Sequence, residues 1–263
     1  MDNLEPVIRL SRDLRNAAHT MSDAEARFLV DAYYQMQEDR IRDDGQIRSM
    51  SEEPHAVLAY LSAQHTTLEN QIRGALDRYS MSRPIGIWLR QHKGIGPVIA
   101  AGLMAHIDIH KAQTVSNIWR YAGLDPTSKW EKGQKRPWNA SLKTLCWKIG
   151  ESFVKVSGMK DAYYGELYVI AKEREIKRNE DGGNAAAAAA ILEAKKWKGD
   201  TVAKAAYESG KLPPAHVHAR AKRWVVKQFL SDLHKQWREL EGLPVADPYP
   251  IAHMNHAHLR TGT

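Results

Sequence analysis

The turn Lys93-Gly94-Ile95-Gly96-Pro97 has the composition of a site that holds a phosphate group. Gly94 and Gly96 supply backbone torsions that a side chain would forbid, and proline suits the first helical position because no donor is lost there. The amides of the turn, the positive end of the following helix and the Lys93 ammonium would then face a nucleic-acid backbone. A plain glycine turn between packed helices would have the same sequence, so both interpretations remain open.

The loop Leu124–Trp138 is a second candidate because it interleaves lysine and arginine with two tryptophans. Cations neutralise phosphates and aromatic rings stack on bases, so such a loop can hold a strand. The alternative is that Trp130 and Trp138 only fasten a long loop to the core. A basic flank near the start of the last predicted helix is a third candidate, with an ordinary solvated face as its alternative. The predicted nucleic-acid-binding residues are Lys93, Gly94, Gly96, Lys129, Trp130, Lys132, Lys135, Arg136, Trp138, Lys143, Arg220, Arg223 and Lys227.

The positive charge of the chain is concentrated around the glycine turn. The net charge of +7 divides into −5 for residues 1–82 (9 basic, 14 acidic), +8 for residues 83–150 (11 basic, 3 acidic) and +4 for residues 151–263 (18 basic, 14 acidic). A basic block beside a candidate phosphate-binding turn indicates a polyanionic partner. Binding of this kind weakens steeply with salt, because each neutralised phosphate releases counterions.

Residues that could hold a catalytic metal are scarce in the basic block. Nucleases commonly use carboxylates to hold two divalent ions about 4 Å apart, whereas only 3 acids lie between residues 83 and 150. The carboxy-terminal histidines His253, His256 and His258 are close enough to fill a zinc shell, but nothing near them supplies a fourth ligand or a general base. The sequence therefore predicts no metal site, no cofactor and no two-metal nuclease.

Local signals predict an almost entirely helical chain. Ser22-Asp-Ala-Glu25 is a capping box that begins a helix ending at Asp43-Asp44-Gly45, and a second amphipathic helix runs from Pro54 to Tyr79. These two helices are expected to form an antiparallel hairpin, whose seam pairs with the rest of the chain or with a second copy, or else is a solvated outer face. Further helices are predicted at 85–92 and 97–106, which flank the turn as in a helix-hairpin-helix motif, and at 115–122, 139–153, 161–179, 185–190 and 214–240.

The predicted fold class is all-α, with at most a small β ribbon within Lys129–Trp138. We expect an acidic helical-hairpin arm at 1–82, a basic helix-hairpin-helix core at 83–150, and a helical region at 151–263 that packs on the core. No apolar run approaches the roughly 20 residues that span a bilayer, and the amino terminus is acidic, so a soluble cytoplasmic protein is expected. The single cysteine, Cys146, excludes an internal disulfide and is predicted to be buried.

Four motifs follow one another in a set order and spacing: Gly94-Ile-Gly-Pro-Val-Ile-Ala-Ala-Gly-Leu103, Tyr121-Ala-Gly-Leu-Asp-Pro126, Lys132-Gly-Gln-Lys-Arg136 and Asn139-Ala-Ser-Leu-Lys143. Together they resemble the carboxy-terminal domain of bridge-RNA-guided insertion-sequence transposases, over residues 83 to about 150. The same segment is similar to the Nop domain of box C/D ribonucleoproteins and to the Tas proteins of tandem-interspaced-guide-RNA systems. The resemblance implies a Nop-like helical fold that holds a guide RNA, while the RNA finds target DNA by base pairing.

Two departures from those transposases bear on activity. The resemblance implies an acidic RuvC-like nuclease domain before the matching segment, whereas residues 1–82 have only helical patterns, so no nuclease domain is expected. It also implies a nucleophilic serine beside a glycine in the loop after Gly-Leu-x-Pro. Ser128 lies there without the glycine, and no activating base is near it in the sequence. Ser128 is therefore the only catalytic candidate, and the sequence favours a chain that is not an enzyme.

The function expected first is nuclease-less guide-RNA binding that mediates RNA-guided DNA recognition in a mobile element or a phage. The expected partners are a guide RNA, its target DNA and a second copy in a homodimer, with no membrane. The dimer rests on the resemblance alone, because guide-binding relatives pair through helical arms. Two alternatives stay open, a diverged serine recombinase or transposase that uses Ser128, and a helix-hairpin-helix protein that binds duplex DNA without sequence preference.

Overall fold

The computed structural model describes residues 9–50 and 55–246, and every regular element in these ranges is a helix. The all-α prediction is confirmed. The small ribbon that the sequence allowed at most within Lys129–Trp138 does not form, because this part of the loop folds onto itself. The Trp130 indole donates to the Gln134 carbonyl at 2.7 Å, and the Gln134 amide donates to the Glu131 carbonyl at 3.1 Å. Contacts between residues three and four apart belong to turns and not to paired strands.

The described residues contain eleven α helices, and one short 3-10 turn, Ala18–Thr20, follows the first of them. Their bounds are α1 Arg12–Ala17, α2 Asp23–Ser49, α3 Ala56–Ser80, α4 Pro84–Arg90, α5 Pro97–His106, α6 Val115–Tyr121, α7 Ala140–Lys155, α8 Tyr163–Glu180, α9 Ala185–Ala194, α10 Val202–Glu208 and α11 Pro214–Leu240.

The predicted end of α2 at Asp43-Asp44-Gly45 is wrong, because the helix continues to Ser49. Asp44 forms contacts one turn away in both directions. Its carboxylate lies 3.3 Å from Arg40 Nη1, and its carbonyl accepts a hydrogen bond from Arg48 Nε at 3.0 Å. Contacts of this kind help to offset the roughly 1 kcal/mol that a glycine costs inside a helix.

The chain divides into two compact units, and the first comprises the described residues of Met1–Gln91, Ile95–Ala112 and Gln236–Pro244. In this unit α2 and α3 pack along each other. Arg40 near the middle of α2 pairs with Glu69 at 2.6 Å, whereas Asp43 pairs with His65 at 2.7 Å, so later residues of α2 meet earlier residues of α3. The predicted antiparallel hairpin is therefore confirmed.

Helix α5 is the element against which this hairpin packs. Its residues from Ala100 to Ala105 are all buried, and α2, α3 and α4 each contact it. Four of its ten residues are alanine or glycine, and these small side chains permit the close approach of neighbouring helices. The Arg27 guanidinium of α2 also donates to the Ala105 carbonyl. The seam of the hairpin thus pairs with the rest of the chain, and a homodimer through these helices stays a prediction.

The second unit comprises the described residues of His92–Gly94, Gln113–Lys235 and Val245–Thr263. Aromatic side chains from α7, α8 and α11 form its centre. The rings of Phe153 and Tyr164 stack with centroids 5.0 Å apart, and the ring of Phe229 meets both edge-on at 5.4 and 5.1 Å. The Tyr164 hydroxyl donates to Asp232 at 2.6 Å. The second unit is therefore held by a ring cluster that fixes the three helices around it.

Cys146 lies on the buried face of α7, as predicted, and is 2% exposed. Burial raises the pKa of its thiol to about 12. The thiol is therefore protonated at neutral pH and serves as an apolar core group. Within the described ranges, no helix is both long and apolar enough to cross a membrane.

Candidate nucleic-acid interface

Gly94 is the residue of the turn that requires glycine. Its φ is +95°, in the region that L side chains rarely adopt, and a β-carbon there would lie 3.2 Å from Phe153 and 3.3 Å from Ser152 Oγ. The Ser152 hydroxyl donates to the Gly94 carbonyl at 2.6 Å. The turn is thus fixed against α7 by both its conformation and its contacts.

Gly96 does not have the restricted backbone that the sequence predicted. Its φ of −85° and ψ of 178° are extended values open to any residue, and no atom lies within 4 Å of the place a β-carbon would take. Its carbonyl accepts the first hydrogen bond of α5 from Ala100 at 3.0 Å. What glycine provides here is open space beside the first turn of α5, whose leading amides lack partners within the helix.

Lys93 is exposed, but its ammonium donates to the Lys160 carbonyl within the second unit. The side chain therefore fastens the turn to the segment between α7 and α8. A direct phosphate contact from Lys93 would have to exchange this hydrogen bond for one to the ligand, and it stays a prediction.

The loop 124–138 is closed at its base. The end of α6 is capped by Gly123, whose φ is +64°, and Leu124 donates to the Trp119 carbonyl at 2.8 Å. At the other end of the loop, Asn139 donates to the Tyr121 carbonyl at 2.8 Å. Between these ends the four predicted cations all have exposed side chains, namely Lys129, Lys132, Lys135 and Arg136.

The two tryptophans of this loop differ in their surroundings. Trp138 is half-buried, and a β-carbon on Gly123 would lie 2.9 Å from its ring, so Trp138 packs closely against the end of α6. Trp130 is 42% exposed, with the Arg136 guanidinium 5.2 Å from its ring centroid. Trp138 thus fastens the loop, whereas Trp130 keeps a surface on which a base could stack. Base stacking by either ring stays a prediction.

Three of the predicted cations are brought together from separate segments. Lys143 of α7 has Arg136 of the loop and Arg223 of α11 as its like-charged neighbours, and we call these three residues the basic cluster. Partial desolvation lowers the pKa of Lys143, and the positive charges of Arg136 and Arg223 lower it further. In the part of the chain that the structure describes, no carboxylate forms an ion pair with any of the three. The cluster is therefore a concentration of positive charge without a counterion among the described residues.

The other cations of α11 are engaged within the fold. Arg220 Nε lies 2.8 Å from Glu175 of α8, and Lys227 Nζ lies 4.4 Å from the ring centroid of Trp119. Burial lowers the pKa of Lys227, although Asp125 acts in the opposite direction. The predicted basic flank of α11 is thus divided, with Arg223 in the basic cluster and Arg220 and Lys227 held by neighbouring residues. Phosphate contacts from Arg220 and Lys227 stay predictions.

Tryptophan and cation are paired throughout the second unit. Each of the six tryptophans between residues 113 and 235 has a lysine or arginine over its ring. The closest pair is Lys143 and Trp138, with Nζ 3.9 Å from the ring centroid. Such pairs hold cations at defined places without neutralising them, because the ring has no net charge.

A groove of about 280 Å³ lies beside the basic cluster, and its lining is mostly apolar. Its exposed wall is Trp147, which is 59% exposed and was not among the predicted site residues. The signal was present in the sequence, because Lys143, Trp147 and Gly150 are spaced to share one side of a helix, next to the buried side that includes Gly150. The residues that line the groove are Gly123, Leu124, Lys143, Cys146, Trp147, Gly150, Ala219, Lys222, Arg223 and Val226.

Ser128, the only catalytic candidate, is half-buried in the loop. Its amide donates to the Asp125 carbonyl at 3.3 Å, and among the described residues no side chain forms a hydrogen bond with its hydroxyl. The described ranges also contain no group of three or more His, Cys, Asp or Glu side chains arranged to hold a metal ion. The histidines at 253, 256 and 258 lie outside the described residues.

Comparison with known protein families gives a match over part of the chain. The model of the transposase family IS116/IS110/IS902 matches residues 88–139, about a fifth of the chain. No curated protein and no solved structure matches the chain. The matched segment runs from α4 through the glycine turn, α5 and α6 to the end of the basic loop. Residues 88–139 are therefore related to the transposases of the IS116/IS110/IS902 family.

Proposed function

We propose that this chain is a transposase-related protein of a mobile element that binds a structured guide RNA and does not itself cut nucleic acid. The RNA would find target DNA by base pairing, while the protein holds the RNA through backbone and shape. The observation that carries this proposal is the basic cluster. Arg136 and Arg223, from two separate segments, both act electrostatically on Lys143, and within residues 9–50 and 55–246 no carboxylate pairs with any of the three, as expected where phosphates supply the missing negative charge.

Two further observations support the proposal. Residues 88–139 are related to transposases, which act on nucleic acid, and they include both the turn and the basic loop. The loop also presents an exposed aromatic ring, Trp130, among exposed cations, a combination suited to unpaired nucleotides. A homodimer remains part of the proposal through the resemblance alone.

The first test asks whether the purified chain carries a discrete RNA. Nucleic acid extracted from the protein should contain one short RNA species, and sequencing should identify it. Ribonuclease treatment before purification should lower the absorbance ratio at 260 and 280 nm. Equal ratios with and without the nuclease, and no recovered RNA, would contradict the proposal. Equal affinity for random duplex DNA would then favour the helix-hairpin-helix alternative.

The second test removes the basic cluster. The triple variant Arg136→Ala, Lys143→Ala, Arg223→Ala should bind the recovered RNA about 100-fold or more weakly, because each phosphate contact contributes about 1 kcal/mol or more. The slope of log affinity against log salt should fall by about 2. A matched control is Lys196→Ala, Lys198→Ala, Lys211→Ala, which removes the same charge from exposed positions. Equal losses in both triple variants would show a general charge effect and contradict the proposal.

A second candidate function, DNA strand transfer with Ser128 as the nucleophile, is favoured by one observation. The segment related to transposases includes Ser128. If this function holds, the chain should form a covalent adduct with a DNA end, and Ser128→Ala should abolish it while binding is unchanged. An adduct that survives the substitution would dismiss Ser128 as the nucleophile.

A further inference from the structure

The groove beside the basic cluster combines three properties on one side of the second unit. Its lining includes the apolar side chains of Leu124, Ala219 and Val226. The exposed ring of Trp147 also lines it, together with the cations Lys143 and Arg223. A ligand that fits must therefore offer a flat apolar body and a negative charge next to it.

The size of the groove limits that ligand further. At about 280 Å³ it lies below the range of about 300 to 1,000 Å³ that is usual for small-molecule pockets, so a single planar ring system suits it better than a larger cofactor. The electrostatics also select the ligand. Lys222 is already paired with Glu151, whereas Lys143 and Arg223 have no carboxylate partner in the described residues. The two positive charges of Lys143 and Arg223 equal the negative charges of two consecutive phosphodiesters in a strand.

We propose that the groove takes one unpaired nucleotide of a bound strand, with its base on the Trp147 ring and its phosphate on Lys143 and Arg223. The base must be unpaired, because a base within a duplex has both faces covered by its neighbours and cannot stack on a side chain. Gly123 and Leu124 line the groove and belong to the segment related to transposases, which favours nucleic acid over a phosphorylated peptide. This inference deepens the proposed function and rests on it.

Close packing beneath the groove keeps its shape. A β-carbon on Gly150 would lie 3.4 Å from Val226 and 3.5 Å from the β-carbon of Lys222, so α7 and α11 are in contact under the groove. Lys222 Nζ lies 5.8 Å from the ring centroid of Trp147 and is held by Glu151. The stacking surface is thus positioned before any ligand arrives, which lowers the entropic cost of binding.

The test separates the base from the phosphate. Labelled single strands of about twelve nucleotides would be used as probes, one of uridine, one of thymidine and one with abasic sugars only, each measured by fluorescence anisotropy. Trp147→Ala should weaken binding of the base-containing strands roughly 5- to 100-fold, because stacking contributes about 1–3 kcal/mol. Binding of the abasic strand should be unchanged. Lys143→Ala with Arg223→Ala should weaken all three.

Control variants distinguish a failure of the groove assignment from a failure of the proposed function. Trp147→Phe keeps an aromatic face and should restore most of the affinity, and circular dichroism should show that each variant melts as the parent chain does. A wild-type chain that binds neither the recovered RNA nor any of the strands would overturn the proposed function itself, whereas binding of the recovered RNA without binding of any strand would overturn the groove assignment alone. A wild-type chain that binds strands as tightly as Trp147→Ala does would overturn the groove assignment alone, as would equal weakening of the abasic strand. Uridine and thymidine strands distinguish RNA from DNA as the source of the nucleotide.

Discussion

Charged side chains are paired in the antiparallel helices α2 and α3, whereas those of the basic cluster in the second unit lack counterions among the described residues. In the helix pair, Arg40 lies 2.6 Å from Glu69 and 3.3 Å from Asp44, and His65 lies 2.7 Å from Asp43. In the basic cluster, cations meet other cations and tryptophan rings. Charges that stabilise a fold find counterions inside it, whereas charges kept without counterions indicate a ligand from outside.

The largest effect on stability is expected from breaking the pairing in the helix hairpin. Glu69 is 8% exposed, and Glu69→Ala leaves Arg40 without its main partner. The free energy of unfolding should fall by about 2–3 kcal/mol, as measured by urea denaturation. Glu38→Ala on α2, at an exposed position, is the control and should change it by less than about 0.5 kcal/mol. Equal losses would mean that the pairing contributes nothing specific.

The pair of Arg40 and Glu69 should also make the free energy of unfolding depend on pH, with an effect of intermediate size. Burial would raise the pKa of Glu69, but hydrogen bonds from Arg40, Tyr33 and Gln37 outweigh it and lower the pKa below its ordinary value of 4.5. A carboxyl with a lowered pKa stabilises the fold above its unfolded pKa, and this stabilisation is lost as pH falls through the folded pKa.

The wild type should therefore be more stable than Glu69→Gln by about 1–2 kcal/mol at neutral pH, and the difference should shrink below about pH 4. Urea denaturation across this range would measure it. In an Arg40→Met background most of the pH dependence should disappear. A difference that grows on acidification would contradict the pairing described for the hairpin.

The smallest effect on stability is expected within the basic cluster. Arg223→Met should leave the free energy of unfolding within about 0.5 kcal/mol of wild type. Any stabilisation at low salt, from removing the repulsion between the clustered cations, should disappear at high salt because salt screens that repulsion. Arg220→Met, three residues earlier on α11, breaks a pair with Glu175 and should cost about 1 kcal/mol or more. If Arg223→Met destabilises the chain as much as Arg220→Met does, the basic cluster stabilises the fold, and the difference between it and the helix pair is contradicted.

Local signals in the sequence were sufficient for most of the fold. The bounds of α5 and α11 follow from Pro97 and Pro214 at their first positions and from the apolar pattern that each helix buries. The stop predicted at Gly45 failed because ion pairs along α2 support helix where propensity alone does not. The short helices α1 and α10 have no buried residues, so the sequence has no apolar pattern that predicts them.

The candidate site was less predictable because it is a tertiary arrangement. The sequence marked Arg136, Lys143 and Arg223 as separate cations, but only folding shows that Arg136 and Arg223 act on Lys143 and that Arg220 pairs with Glu175. Trp147 was missed because a tryptophan beside a buried cysteine reads as core, whereas the helical period turns it outward. The prediction for Gly96 was wrong in one respect. A glycine in a turn suggested a restricted backbone, but Gly96 has extended φ and ψ values.

The single cysteine of the chain has a practical consequence for labelling. Cys146 is buried and its thiol stays protonated at neutral pH, so alkylating dyes and spin labels should leave it unmodified in the folded protein. A cysteine introduced on the exposed loop would then be the one reactive site, with no need to remove the native residue first. Probes placed at Lys132 and at Lys198 could report separately on the arrival of a strand at the loop 124–138 and on a second exposed surface.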